Sequence, residues 1–242
     1  MKAFILAAGL GTRLRPLTNS IPKALVKLNG KPLLQILIEK FLSENINQIV
    51  VNVYHHSEKV LNFLSANDNF GAEILISDES EKLLDTGGAI KKAAPALGDE
   101  PFILHNVDII SDLDFKKLSA FHQNSNADVT LVLRKNVSSR YFLFDQQSLL
   151  CGWGNKATGE EIIKTGNRKG LTEYGFAGVH LISPNIFKAF PEDDVFSVID
   201  FYLNICGEYK IKGFAPEFNY WFDVGTIEKL KEAENQNLGI SR

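Results

Sequence analysis

Ala3-Phe4-Ile5-Leu6-Ala7-Ala8-Gly9-Leu10-Gly11-Thr12-Arg13-Leu14-Arg15-Pro16-Leu17-Thr18-Asn19-Ser20-Ile21-Pro22-Lys23 is the stretch that decides the fold of this chain. Its first five residues read as a short apolar strand. A strand that runs straight into a small, glycine-bearing loop leaves backbone N–H groups free to surround phosphate oxygens. Arg13, Arg15 and Lys23 add three permanent cations to that loop. Pro22 fixes the backbone just before Lys23 and limits where its ammonium can go. A polyphosphate is the expected occupant.

Two familiar glycine loops do not fit. Gly9-x-Gly11 begins like a dinucleotide fingerprint, but the third glycine is missing and no acidic strand end follows about 20 residues on. No GxxxxGK[ST] is present, which disfavours P-loop chemistry.

Outward from the loop, strand and helix signals alternate. Strands are expected at Ala3–Ala7, Ile49–Val53, Glu73–Ser77, Phe102–Leu104 and Val129–Leu133. Helices are expected at Pro32–Leu42, at Ser57–Leu64 with Ser57 as N-cap, at Gly88–Ala94 and at Asp114–Phe121. This alternation predicts a single Rossmann-like α/β domain with a mixed, mostly parallel central sheet flanked by helices. After about residue 134 the pattern becomes less regular. Phe142–Phe144, Leu149–Gly152, Tyr174–Ile182, Lys210–Phe214 and Tyr220–Phe222 read as strands, and Asn155–Gly170 as an exposed loop. Pro184–Phe190, Ser197–Cys206 and a closing Thr226–Gln236 read as helical. Residues 1–242 are expected to form one domain, with a nucleotide-binding half (1–134) and a sugar-binding half plus closing helix (135–242).

Composition narrows the partners. Apolar residues make up 45%, enough for a core and too many for a disordered chain. A net charge of −3 argues against general nucleic-acid binding, so an anionic substrate must be met by local cations. Cys151 and Cys206 form no CxxC pair, and the five histidines show no HxxxH or HExxH spacing, so zinc is not expected. Trp153, Trp221 and most phenylalanines read as core. No apolar run reaches the roughly 18 residues that span a bilayer. A cytoplasmic monomer or small homo-oligomer is the expectation.

The string Leu6-Ala7-Ala8-Gly9-x-Gly11-Thr12-Arg13-Leu14-Arg15-Pro16-x-Thr18-x(3)-Pro22-Lys23 resembles the signature of the sugar-1-phosphate nucleotidyltransferases. The resemblance continues through Asn29-Gly30-Lys31-Pro32-Leu33-Leu34, Asp85-Thr86-Gly87-Gly88-Ala89, Asn106-Val107-Asp108 and Trp221-Phe222-Asp223-Val224-Gly225-Thr226. It therefore spans nearly the whole chain. Among compact members it is similar to the N-acetylmuramate 1-phosphate uridylyltransferases and the small mannose-1-phosphate guanylyltransferases.

This resemblance implies substrates, an ion and roles. The substrates are a nucleoside triphosphate and a sugar 1-phosphate. UTP and N-acetylmuramate 1-phosphate are the first expectation, GTP with mannose or heptose 1-phosphate the second. Asp108 and Asp223 follow strand ends and are the implied Mg²⁺ ligands, since magnesium favours carboxylates combined with phosphate oxygens. Arg13 is expected to neutralise the leaving pyrophosphate and Lys23 to reach the α-phosphate. Leu6, Ala7, Ala8, Gly9, Gly11, Thr12, Gly87, Gly88 and Asn106 are the implied nucleotide contacts. The two adjacent glycines let a flat base approach the backbone. Val107 departs from the glycine more usual there and adds bulk just before Asp108. Arg140, Lys164, Glu173 and Gly178 are the acceptor-side candidates. Two rivals carry weight. A glycosyltransferase of similar fold would show Asp-x-Asp, where this chain has Asn106-Val107-Asp108. A non-catalytic sensor would not need Arg13, Lys23, Asp108 and Asp223 together.

Overall fold

Ala3 and Ile5 enter one apolar cluster, while Phe4 between them enters another, and all three are fully buried. A strand buried on both faces belongs inside a parallel sheet covered by helices on either side. The computed structural model, which describes residues 1–136 and 139–236, has this arrangement. Of the expected sugar-binding half, residues 137–138 and 237–242 lie outside the described residues.

β1 (Lys2–Leu6) is followed by a small hairpin, β2 (Lys27–Leu28) and β3 (Lys31–Pro32), and then by β4 (Gln48–Val53), β5 (Glu73–Asp78) and β6 (Phe102–Asn106). β4 and β6 flank β1, β5 lies outside β4, and all of these pairings are parallel. The chain moves outward from β1 to β5 and then returns to the other flank of β1. Strand order reverses there, and the carboxyl ends of β1 and β6 open a crevice. The connecting helices are α1 (Leu33–Ser43), α2 (Ser57–Ala66) and α3 (Asp85–Leu97). Leu33, Leu34, Leu37, Ile38 and Phe41 of α1 pack on one face of the sheet, and Ala89, Ile90, Ala93 and Leu97 of α3 on the other. Fully burying side chains of this size contributes about 1.5–3 kcal/mol each for the larger ones.

The remaining elements are β7 (Ile109–Ser111), α4 (Phe115–Ser125), β8 (Val129–Arg134), β9 (Arg140–Phe144), β10 (Leu150–Asn155), β11 (Glu160–Ile163), β12 (Thr172–Ile182), α5 (Val198–Ile205), β13 (Ile211–Phe214), β14 (Trp221–Asp223) and α6 (Ile227–Glu234). Among the described residues, ten strands form the main sheet, whose longest path runs β11-β10-β9-β12-β6-β1-β4-β5. β8 joins β12, and β13 runs parallel to β8. The sheet is thus mixed, with a parallel centre and an antiparallel extension. β12 holds the two together. It pairs with β9 through Thr172–Tyr174, shifts register on β8 between Phe176 and His180, and pairs with β6 through Val179–Ile182. Gly178 lies in that shift with φ +78°, a conformation that favours glycine.

Several expected elements change. The loop expected over Asn155–Gly170 contains β11, because Glu160-Glu161-Ile162-Ile163 is an exposed edge strand with little apolar alternation. β7, only three residues long, has no counterpart in the sequence reading. Pro184–Ala189 is 3₁₀ rather than α-helical. Ser57 opens α2, but His56, in the left-handed region, is its N-cap, and no side-chain cap bond forms. His105 on β6 and His180 on β12 are both fully enclosed. Burial pulls their pKa values down to about 4 and about 3, so both are neutral. Among the described residues, no helix is long and apolar enough to cross a membrane.

Candidate active site

The loop after β1 is tied down from beneath. Asn52 Oδ1, at the end of β4, accepts the N–H groups of Ala7 and Ala8 at 2.6 and 3.2 Å. Asn52 Nδ2 in turn donates to Glu79 at 2.7 Å, and Glu79 Oε2 accepts the Leu84 N–H at 3.1 Å. Both side chains are buried. A polar relay therefore links the loop to the start of α3, and the N–H groups of Ala7 and Ala8, two of the implied nucleotide contacts, are already bonded. Gly11 adopts φ +61°, where a Cβ would lie 2.9 Å from Thr18 Cγ2. Its carbonyl accepts both the Leu14 N–H and the Thr18 hydroxyl. The loop is thereby wound into short 3₁₀ turns, Thr12–Leu14, Leu17–Asn19 and Lys23–Leu25, which leave Arg13 exposed.

The Lys23 stem crosses beside Gly11 and its ammonium forms an ion pair with Asp108. Asp108 sits in the turn between β6 and β7. β7 pairs antiparallel with β14, placing Asp223 opposite Ile109, and the Val224 N–H donates to the Asp108 carbonyl at 2.8 Å. This ribbon brings two distant acids together. A Cβ on Gly225 would lie 2.7 Å from Asp108 Oδ2, 2.9 Å from Asp223 Oδ1 and 3.0 Å from Arg13 Nη2. The absence of a side chain keeps this space open. Val107 fits without left-handed backbone; it is buried, and its N–H donates to the Leu6 carbonyl.

Lys229 of α6 pairs with Asp223 Oδ2 at 2.8 Å, and the Gly225 N–H donates to Oδ1 at 3.0 Å. Burial alone would raise the Asp223 carboxyl, but these bonds and the nearby Arg13 hold it below its ordinary value. The group is a carboxylate at neutral pH.

Among the described residues, no group of three or more His, Cys, Asp or Glu could by itself hold a metal. Two converging carboxylates beside a glycine cradle nevertheless suit Mg²⁺, which often takes one or two carboxylates and completes its shell with phosphate and water oxygens.

These residues line a cleft of about 690 Å³. Arg13, Asn106, Asp108 and Asp223 line it, together with the acceptor-side candidates Arg140 and Gly178. Lys164 and Glu173 do not. Lys164 is exposed and reaches Asn204 at 3.3 Å, while Glu173 is held by Lys156 and Arg168. Gly87 and Gly88 also lie outside that lining. Their N–H groups bond the Phe196 carbonyl, and side chains there would strike Phe196 and the Asp194 carbonyl. The glycines let the Asp194–Phe196 segment close onto α3, so that face is covered. Asn52, Glu79, Arg134 and Lys229 carry no functional motif in the sequence, and Trp221, which reads as core, packs on the core and also lines the cleft. Asn52 and Glu79 had a signal: polar residues at the ends of neighbouring apolar strands.

A model described as nucleotidyl transferase matches residues 2–142. The chain is 32% identical to the N-acetylmuramate alpha-1-phosphate uridylyltransferase of Caulobacter vibrioides, with 96% of this chain and 95% of the relative covered. Identity to the enzyme of that name from Neisseria meningitidis serogroup B is 30%, with 97% of each covered. A mannose-1-phosphate guanyltransferase of Aspergillus fumigatus is 30% identical over 93% of this chain but only 61% of its own length. Among solved structures, HddC from Yersinia pseudotuberculosis, complexed with GMP-PN, is similar with a TM-score of 0.76 at 25% identity, covering 96% of this chain and 97% of its own.

Proposed function

The chain belongs to the nucleotidyl transferase family and is a sugar-1-phosphate nucleotidyltransferase, and we propose that it transfers UMP from UTP to N-acetylmuramate 1-phosphate. The observation that carries the choice of base and sugar is end-to-end similarity to uridylyltransferases of that specificity, against partial coverage of the longer guanyltransferase. The reaction joins an oxygen of the sugar 1-phosphate to the α-phosphorus, breaks the α–β phosphoanhydride bond, and releases pyrophosphate with the bonding electrons.

The nucleophile is already an anion, so no strong general base is required. The chain's task is to bring two polyanions together and to stabilise charge at a crowded phosphorus. Arg13, exposed at the loop, meets the β- and γ-phosphates. Lys23, held between the loop and Asp108, is within reach of the α-phosphate. Asp108 and Asp223 would hold Mg²⁺, which when bound would supply positive charge to the phosphates. Lys229 and the Gly225 N–H orient Asp223. Asn106 and the β1 end contact the nucleoside, with Asn52 setting the backbone there. Gly178 and Arg140 face the sugar phosphate. A cytoplasmic setting, with the free thiols Cys151 and Cys206, accompanies this reading.

Guanylyl transfer is the second reading, favoured by the similarity to HddC, which is complexed with a guanine nucleotide. A matrix of four NTPs against sugar 1-phosphates, followed by pyrophosphate release, tests both. The highest kcat/KM is expected for UTP with N-acetylmuramate 1-phosphate. A maximum for GTP with mannose or heptose 1-phosphate replaces the first reading with the second, and an absence of turnover across the matrix overturns both.

A further inference from the structure

Arg134 ends β8, where it pairs with Gly175 of β12, and its side chain lines the cleft. Its guanidinium carbon lies 3.5 Å from the ring centre of Trp221. Trp221 is itself fixed, because its Nε1 donates to the Ala177 carbonyl at 3.0 Å. The stacked face is thus occupied, while the edge of the guanidinium carries the N–H groups. Arg134 Nε is buried without a hydrogen-bond partner, and the guanidinium makes no hydrogen bond or ion pair among the described residues.

The neighbouring charges do not satisfy it. Asp223 is the acid that acts on Arg134, but its two oxygens already receive Lys229 and the Gly225 N–H. Lys23 and Lys229 each have a carboxylate partner. Arg134 stays charged because a guanidinium does not deprotonate in a protein. A half-buried charged fork with unmet donors is costly to leave so, and it matches the paired oxygens of a carboxylate or phosphate.

We propose that Arg134, held flat on Trp221, is an anion-binding side chain of the acceptor half of the cleft and receives an oxyanion of the sugar 1-phosphate. The oxyanion is either the 1-phosphate itself or a carboxylate carried on the sugar; both offer two oxygens to one guanidinium edge. This rests on the reading of the cleft as a sugar-1-phosphate site and adds a residue to it.

The test uses R134Q and R134K in the whole chain with two acceptors, N-acetylmuramate 1-phosphate and N-acetylglucosamine 1-phosphate. Only the first carries a carboxylate. Initial rates give KM for each acceptor and for the NTP, and calorimetry measures binding of both acceptors to wild type and variants. R134Q is expected to weaken acceptor binding and raise acceptor KM by about tenfold or more, with NTP KM within about twofold. R134K, which restores charge but not the fork, is expected to recover only part of the loss. Equal losses for both acceptors assign Arg134 to the 1-phosphate, whereas loss confined to the muramate assigns it to the carboxylate. Acceptor affinity within about twofold of wild type in R134Q, or NTP and acceptor affinity falling together, overturns the proposal. If wild type turns over neither acceptor, the proposed reaction fails, while the calorimetry still decides Arg134.

Discussion

The donor and acceptor sides of the cleft are built in opposite ways. The donor side is one continuous loop from Gly9 to Lys23, wound on its own hydrogen bonds and tied through Asn52 and Glu79 to the ends of two parallel strands. Among the described residues, the acceptor side draws its groups from strands instead. Arg134, Arg140, Gly178 and Trp221 come from four separate strands and meet only because β12 shifts register and β14 pairs with β7. A loop places several groups at once, so the groups proposed to meet the triphosphate are positioned by local structure. The acceptor groups are placed one per strand.

The largest expected effect lies where the two sides meet. Asp108→Asn removes one of the converging carboxylates and the partner of Lys23, and should lower kcat in pyrophosphate release by about 10³-fold. Turnover close to wild type would detach the acid pair from the chemistry. Gly225→Ala places a methyl against both acids and Arg13, and displacements of this kind cost about 10²-fold in kcat. Because Gly225 has no left-handed backbone, its chemical unfolding midpoint should stay near wild type. If stability falls as steeply as rate, the glycine serves folding rather than the cradle.

Acid should act on the seam between the sides. His105 and His180 stand on the paired strands β6 and β12. Both are neutral when folded, with pKa values of about 4 and about 3, against an ordinary value of 6.5 in the unfolded chain. Between those values the unfolded chain binds more protons. The stabilisation is therefore complete above pH 6.5 and is lost as pH falls towards 4 and 3. Urea titrations should show stability falling by about 1.4 kcal/mol per pH unit for each histidine within that window. Replacing His180 with Gln should make the decline shallower, and an unchanged slope would exclude it as a source. The smallest effect is expected for Lys164→Ala, since this lysine lies outside the cleft: KM for the sugar 1-phosphate should remain within about twofold. A tenfold rise would extend the acceptor side beyond the four strands described.

The same contrast explains what could be read from the sequence. The loop, its cations and the two acids Asp108 and Asp223 are legible because each belongs to a contiguous string or a strand end. Arg134 is not, since in Val129-Thr130-Leu131-Val132-Leu133-Arg134 it looks like the polar end of a buried strand, and its ring partner lies far along the chain. β7 escaped because three residues carry no periodicity. Gly87 and Gly88 look the same in sequence whether a base or the chain itself approaches them, and here Asp194–Phe196 does.

The hydrogen bond from Val224 to Asp108 gives the site a property of timing. Its two acids, Asp108 and Asp223, are far apart in the order of synthesis. A nascent chain can wind its glycine loop early, but it owns only one of the two acids until β14 has docked on β7. With the acid pair in the role proposed, a turnover assay reads the docking of β14 on β7 as well as the chemistry.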